Sequence, residues 1–200
     1  MSTSRDRQEW DSRYAASERV WSAAPNRWVA ATIGAWFTGA ALDLGAADGR
    51  HSVWLASLGW QVTAVDFSAE GIKRGRRGAQ ELGVEVDWVV ADVRTWEPPA
   101  TLTFDLVLVA YLQLGDDQLM LLRDWLAPGG AMVVIGHGAA DPTDAASGPC
   151  DERLLYTQAG YRAASGGLVV EQLGEVGRQP GDGEATDLVL VARRPMRAQR

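Results

Sequence analysis

Five positions in this chain carry groups able to do chemistry, and each follows a short apolar run. They are the turn Gly45-Ala46-Ala47-Asp48-Gly49, then Asp66, Asp92, Tyr111 and His137. A glycine turn lets backbone approach a ligand where a side chain would intrude. Asp66 lies 21 positions after Gly45, the spacing at which an acidic side chain accepts from both hydroxyls of a ribose held at such a turn. Asp92 can accept from the exocyclic amine of an adenine while the Val93 N–H donates to a ring nitrogen, and Phe67 can cover the adenine face. Each residue also has an ordinary reading, as a strand-to-helix turn, a solvated strand-end aspartate, a turn aspartate or a core aromatic. The ligand reading gains from their common position, because open parallel sheets bind ligands at the carboxyl ends of their strands.

The elements needed to position these groups are legible as alternating strands and helices. A charged helix is expected over Asp6 to Ser17, with Trp10 and Tyr14 near one face. A second begins with Pro25 at its first position and runs to about Phe37, with Val29, Ile33, Trp36 and Phe37 at helical spacing. Strands follow at 40–44, 61–67, 84–91 and 104–110, with helices at 49–58 and from the Ser68 cap to Gly83. The run at 104–110 is continuously apolar, as in parallel strands buried on both faces. Asp116 or Asp117 caps a further helix through Leu126, stopped by Pro128-Gly129-Gly130. A fifth strand covers 131–136 and ends at His137. The long polar stretch 138–151 reads as a binding loop. A short helix lies within 152–164, with Thr157 a possible cap. Strands at 168–176 and 186–193 are joined by so short a link that they pair antiparallel.

The expected fold is therefore one three-layer α/β domain. Residues 1–39 form a helical cap, 40–194 the main body and 195–200 a basic tail. The formal charge of −7 argues against nucleic acid as the main partner and suits a cationic ligand. No run is long and apolar enough for a membrane span, and the N-terminus lacks the apolar core of a signal peptide, so a cytoplasmic protein is expected. One cysteine, Cys150, offers neither an internal disulfide nor a metal cluster, and no metal is expected. The run Lys73, Arg74, Arg76 and Arg77 falls on the polar side of a helix and reads as a solvated face.

Two cofactors fit the strand-end pattern, a dinucleotide or S-adenosylmethionine. The dinucleotide fingerprint is G-x-G-x-x-G, and here alanines stand where its second glycine belongs. Asp48 lies at the N-terminus of the following helix, where a pyrophosphate would be repelled and a sulfonium or an ammonium tolerated. An NAD-type oxidoreductase and a non-catalytic S-adenosylmethionine-binding protein stay as the competing functions.

The segments LDLGAADGR, VTAVDFS, VVADV, FDLVLVAYLQL and LAPGG, in this order, resemble the class I S-adenosylmethionine-dependent methyltransferases from about Ala40 to His137. Trp10-Asp11-Ser12-Arg13-Tyr14, Val20-Trp21 and Pro25-Asn26-Arg27 are similar to the small tellurite-resistance-type and thiopurine-type branch. Ala47 departs from the family's G-x-G-x-G. The resemblance implies a Rossmann-like fold with a seven-stranded, mostly parallel sheet closed by a C-terminal antiparallel hairpin. It also implies that Gly45, Ala46 and Gly49 contact the methionine part of the cofactor, with Asp43 or Asp48 near its ammonium and Arg50 near its carboxylate. Asp66 would hold the ribose, Asp92 and Val93 the adenine, and Ala110 and Tyr111 would lie by the sulfonium.

Methyl transfer is an in-line displacement at an already activated carbon, so alignment and exclusion of water are the main requirements. A thiol or other soft nucleophile needs little more, whereas oxygen or nitrogen nucleophiles often need a base. His137 is the best-placed base and Tyr111 can position a substrate; either can equally serve the local backbone or wall. His51 reads as structural. Trp10, Tyr14, Trp21 and His137 are candidates to line an acceptor pocket, the aromatics being equally suited to plain packing. No module large enough to grip a nucleic acid or a protein is visible, so the expected acceptor is a small molecule.

Overall fold

The computed structural model describes residues 4–16, 24–137, 156–177 and 186–196. Their strands form a seven-stranded sheet in the order β3-β2-β1-β4-β5-β7-β6, and the residues divide into two compact units, 1–102 and 103–200. In the first unit, β1 (Ala40–Leu44), β2 (Gln61–Asp66) and β3 (Asp87–Val90) run parallel. In the second, β4 (Phe104–Ala110) pairs parallel with β5 (Leu126–His137). β7 (Thr186–Arg193) then pairs antiparallel with both β5 and β6 (Val169–Gly177). The expected mostly parallel sheet with a terminal antiparallel hairpin is the one observed.

The first unit carries α1 (Ser4–Ala16), α2 (Arg27–Ile33), α3 (Arg50–Ser57) and α4 (Ala69–Leu82). The second carries α5 (Asp116–Leu121), a 3-10 turn at Leu122–Trp125 and α6 (Gln158–Ala164). Ser68 and Thr157 cap α4 and α6 through their side chains, each accepting a backbone N–H. Three of the four cations in the basic run of α4 are solvated: Lys73 pairs with Glu70 at 3.4 Å on the surface, and Arg76 and Arg77 are exposed, whereas Arg74 is half-buried.

The ends of four elements depart most from the sequence expectation. α2 starts after Pro25, because Asn26 is its cap: the Asn26 side chain accepts the N–H groups of Trp28 and Val29. It stops at Ile33, and Phe37 is fully exposed in the following segment. α5 is capped by Gly115, with Asp116 and Asp117 inside its first turn, where their charge favours the helix dipole. β3 is confined to Asp87–Val90. β5 begins at Leu126 and absorbs Pro128-Gly129-Gly130, because the register jumps from Phe104↔Leu126 to Leu106↔Ala131. The extra residues bulge out and are tied to the end of the chain by Gly129 N–H to Arg194 O at 3.0 Å and Arg194 N–H to Gly130 O at 2.8 Å.

Trp88 of β3 decides how closely α3 and α4 approach. Its indole fills the space that a Cβ at Gly49 or Gly75 would occupy, at 2.4 and 2.3 Å respectively. One turn earlier in α4, a Cβ at Gly71 would meet the Ala47 carbonyl at 2.8 Å. The two α4 glycines thus let that helix lie against both the tryptophan and the turn after β1. Gly75→Ala is expected to cost about 1–3 kcal/mol by overpacking. Gly78→Ala on the same helix, where a Cβ meets nothing within 4 Å, should be neutral or stabilise by up to about 1 kcal/mol. Urea unfolding of the two variants checks the contrast.

Candidate active site

In the first unit the site grows from the turn between β1 and α3. Gly45, Ala47 and Gly49 all adopt positive φ, at 71°, 56° and 80°. Alternate residues therefore curl the backbone, and the alanine at the middle position takes the conformation that a glycine would take without strain. The turn is stitched to β2 by Gly45 N–H and Ala46 N–H, both donating to Val65 O at 2.9 and 3.1 Å. Ala46 and Gly49 are buried, and Gly45 and Arg50 are partly open.

Asp66, at the end of β2, braces this turn. Its Oδ2 accepts from Ala47 N–H at 2.9 Å and its Oδ1 from Ser68 N–H at 2.8 Å. Burial pushes its pKa up to about 6, against the pull of those two donors. Each oxygen retains acceptor capacity beyond its one backbone donor. Phe67, next in the chain, is half-buried. Asp92 and Val93 follow β3. The Asp92 Oδ1 accepts from Arg94 N–H at 3.0 Å, closing a local turn, and Val93 is buried.

The two aspartates considered for a ligand ammonium separate clearly. Asp43 is 1% exposed and its Oδ2 accepts from Ser52 Oγ–H at 2.6 Å, so it ties α3 to β1 from beneath and does not present itself to a ligand. Asp48 is partly exposed, and its Oδ1 has no hydrogen-bond partner among the described residues. Burial raises the Asp48 pKa, while the Arg50 and then the Arg74 charge pull it down. Of the two, Asp48 is the more open to a ligand.

His51 is buried as a neutral acceptor. Asn26 N–H donates to its Nε2 at 3.1 Å, and burial first, with the neighbouring Arg50 charge second, lowers its pKa to about 3. This is the structural role expected of it. Trp10 stacks on Tyr14 with centroids 5.8 Å apart, and the Arg13 guanidinium sits 4.9 Å over Trp10. Tyr14 is buried and packs as a core residue with little surface for a ligand, whereas Trp10 is half-exposed. Asp11, between them, reaches the start of α4: its Oδ1 accepts from Ser68 Oγ–H at 2.5 Å and faces Glu70 N–H at 3.4 Å. Trp21, Cys150 and the stretch 138–151 lie outside the described residues.

In the second unit, Ala110 ends β4 and Tyr111 follows with a φ of 57°. Its hydroxyl donates to Asp187 Oδ2 at 2.6 Å, and its ring meets that of His137 at 5.0 Å and 44°. The His137 Nδ1 lies 3.4 Å from Asp187 Oδ1. Tyr156 secures the segment after Tyr111: its hydroxyl accepts from Leu114 N–H at 3.2 Å and also bonds Leu112 O. Among the described residues, no group of three or more metal-ligating side chains converges, and no helix is long and apolar enough to cross a membrane.

Comparison with known proteins bears on this arrangement. Residues 41–130 match the model of a methyltransferase domain. The structure of the N-methyltransferase NodS from Bradyrhizobium japonicum, in complex with S-adenosylhomocysteine, superposes with a TM-score of 0.73 at 18% identity, covering 94% of this chain and 98% of that one. This is the S-adenosylmethionine-dependent methyltransferase fold. TehB from Haemophilus influenzae also superposes, with a TM-score of 0.61 at 16% identity over 83% of this chain and 60% of that one. The ubiquinone biosynthesis O-methyltransferase of Caulobacter sp. is 35% identical over 97 residues, 46% of this chain and 38% of that protein. The chain thus spans about two fifths of the length of the curated relatives it matches.

The groups around the turn fit the cofactor of this methyltransferase fold. Three left-handed residues open the backbone, a strand-end carboxylate has acceptor capacity to spare, and the acidic Asp48 favours a cation over a phosphate. The sequence reading gave no role to Ser52, Trp88 or Asp187. Asp187 had a signal, as a charged residue near the start of an otherwise apolar strand.

Asp43 supplies a pH test of this packing. Its folded pKa is raised by burial from 3.8 to about 6, so the native state keeps a proton that the unfolded chain has already released. Its contribution to stability therefore falls as pH rises from about 4 to about 6. Asp43→Asn keeps an acceptor for Ser52 and removes the titration. Its unfolding free energy, measured by urea denaturation across this window, should decline less steeply than the wild type by up to about 1.4 kcal/mol per pH unit.

Proposed function

We propose that this chain transfers the methyl group of S-adenosylmethionine to a small-molecule acceptor. The observation that carries the reading is the left-handed turn 45–49 braced by Asp66, within a segment that matches a methyltransferase domain. Gly45, Ala46 and Gly49 take the methionine portion, Asp48 its ammonium and Arg50 its carboxylate. Asp66 accepts from the ribose hydroxyls, Asp92 and Val93 hold the adenine edge, and Phe67 covers its face. The bound cofactor supplies a methyl carbon activated by a sulfonium. Ala110 and Tyr111 flank that centre, and His137 takes a proton from the acceptor.

The acceptor is proposed to be a small molecule. The similarity to O-methyltransferases supports an oxygen acceptor over a thiol. The N-terminal Trp10 to Tyr14 segment supports placement near the tellurite-resistance-type branch, as does the likeness to TehB. A protein without a spanning helix among its described residues is proposed to act in the cytoplasm.

Calorimetry tests the cofactor assignment. S-adenosylhomocysteine should bind and NADH should not; binding of NADH alone overturns the reading. Asp66→Ala removes two ribose hydrogen bonds to a carboxylate together with the brace on Ala47, and should weaken S-adenosylhomocysteine at least about tenfold. Unchanged affinity would remove Asp66 from the site.

A further inference from the structure

Asp187 sits directly opposite His137 in the β5–β7 register, is 2% exposed, and meets two side chains at once. Tyr111 O–H donates to one of its oxygens, and the other lies 3.4 Å from His137 Nδ1, with the imidazole side chain 14% exposed. An ionised carboxylate can only accept. A proton on Nδ1 is therefore favoured, which leaves the lone pair of the neutral imidazole on Nε2. Tyr111 reaches this position through a left-handed backbone, a conformation that strains a non-glycine residue. Retaining that strain at a strand end, beside a buried carboxylate, is what a positioned site shows.

We propose that Asp187, oriented by Tyr111, is the positioning residue that holds His137 in its Nδ1–H tautomer, so that Nε2 accepts the proton of an acceptor whose nucleophilic atom is protonated at neutral pH. The inference rests on the methyltransferase reading above. In the step, a lone pair on the acceptor atom forms the bond to the methyl carbon. The sulfur–methyl bond breaks with its pair kept by sulfur, which becomes a neutral thioether. The proton from the acceptor passes to His137 Nε2, and the resulting imidazolium lies against the Asp187 carboxylate until it loses that proton to solvent. A thiolate arrives already ionised and would leave the histidine unused.

Two buried phenols also face this cluster. Tyr161 O–H donates to Leu188 O at 3.5 Å, and Tyr156 N–H donates to His137 O at 3.3 Å. Burial keeps both hydroxyls protonated well above neutral pH.

The chain has two histidines, and His51 titrates near pH 3, so proton–nitrogen imidazole NMR of the full chain isolates His137. The expected neutral form is Nδ1–H; a wild-type Nε2–H tautomer overturns the proposal without any variant. In Asp187→Asn the tautomers should redistribute. A spectrum matching the wild type would overturn the proposal. S-adenosylhomocysteine affinity is measured alongside and should be unchanged in this variant. If the wild type fails to bind that ligand, the methyltransferase reading falls, while the tautomer result stands by itself. Finally, a panel of hydroxyl, amine and thiol acceptors is tested with labelled S-adenosylmethionine. Methylation should occur at hydroxyls or amines, at a rate that falls in Asp187→Asn. Methylation of thiols alone overturns the acceptor class.

Discussion

The first unit depends on one carboxylate. Asp66 terminates β2 and accepts backbone N–H groups from two turns, that of Ala47 after β1 and that of Ser68 before α4. Without it, the left-handed backbone at Ala47 would lose the acceptor that offsets its strain, and the Ser68 N–H would be left unpaired in a buried setting. Ser68 in turn caps α4 and donates to Asp11, so the brace reaches the N-terminal helix. The side chain proposed to hold a ribose thus also shapes the turn beside it, which would couple ligand binding to local folding.

The second unit repeats the device with different chemistry. Asp187 is again a buried carboxylate at a strand terminus, but its partners are the side chains of Tyr111 and His137 rather than backbone donors. Backbone donors fix a shape, whereas an ionisable phenol and imidazole fix a protonation pattern. The difference follows from the strands involved. β7 runs antiparallel to β5, so its first residues stand beside the last residues of β5. A chain position far from the glycine turn in sequence therefore supplies a carboxyl group beside the end of β5.

Glycine is used here mainly to admit neighbours. Gly49 and Gly75 make room for the Trp88 indole, and Gly71 lets α4 lie against the Ala47 carbonyl. The large ring and the missing side chains are complementary, so α4 can lie close to Trp88. Ser52 and Asp43 then add a buried hydrogen bond between α3 and β1. These contacts hold the turn from below, leaving its upper side to Gly45, Asp48 and Arg50.

The sequence by itself determined the alternation of strands and helices, the caps at Ser68 and Thr157, the terminal hairpin and the strand-end positions of Asp66, Asp92, Tyr111 and His137. These follow from local rules: apolar runs, capping side chains and turn residues act within a few positions of where they occur. It misjudged the ends of α2 and β5 because those were set elsewhere, by the Asn26 side chain in one case and by pairing with β4 and Arg194 in the other. It also offered Asp43 and Asp48 as equals, although burial beside Ser52 separates them. Only the tertiary structure decided that Asp187 belongs with His137, since their proximity comes from an antiparallel register between strands distant in the chain. Only it showed Trp88 wedged against two glycines. Side-chain partnership across such distances is written in packing and register, which no local pattern of residues records.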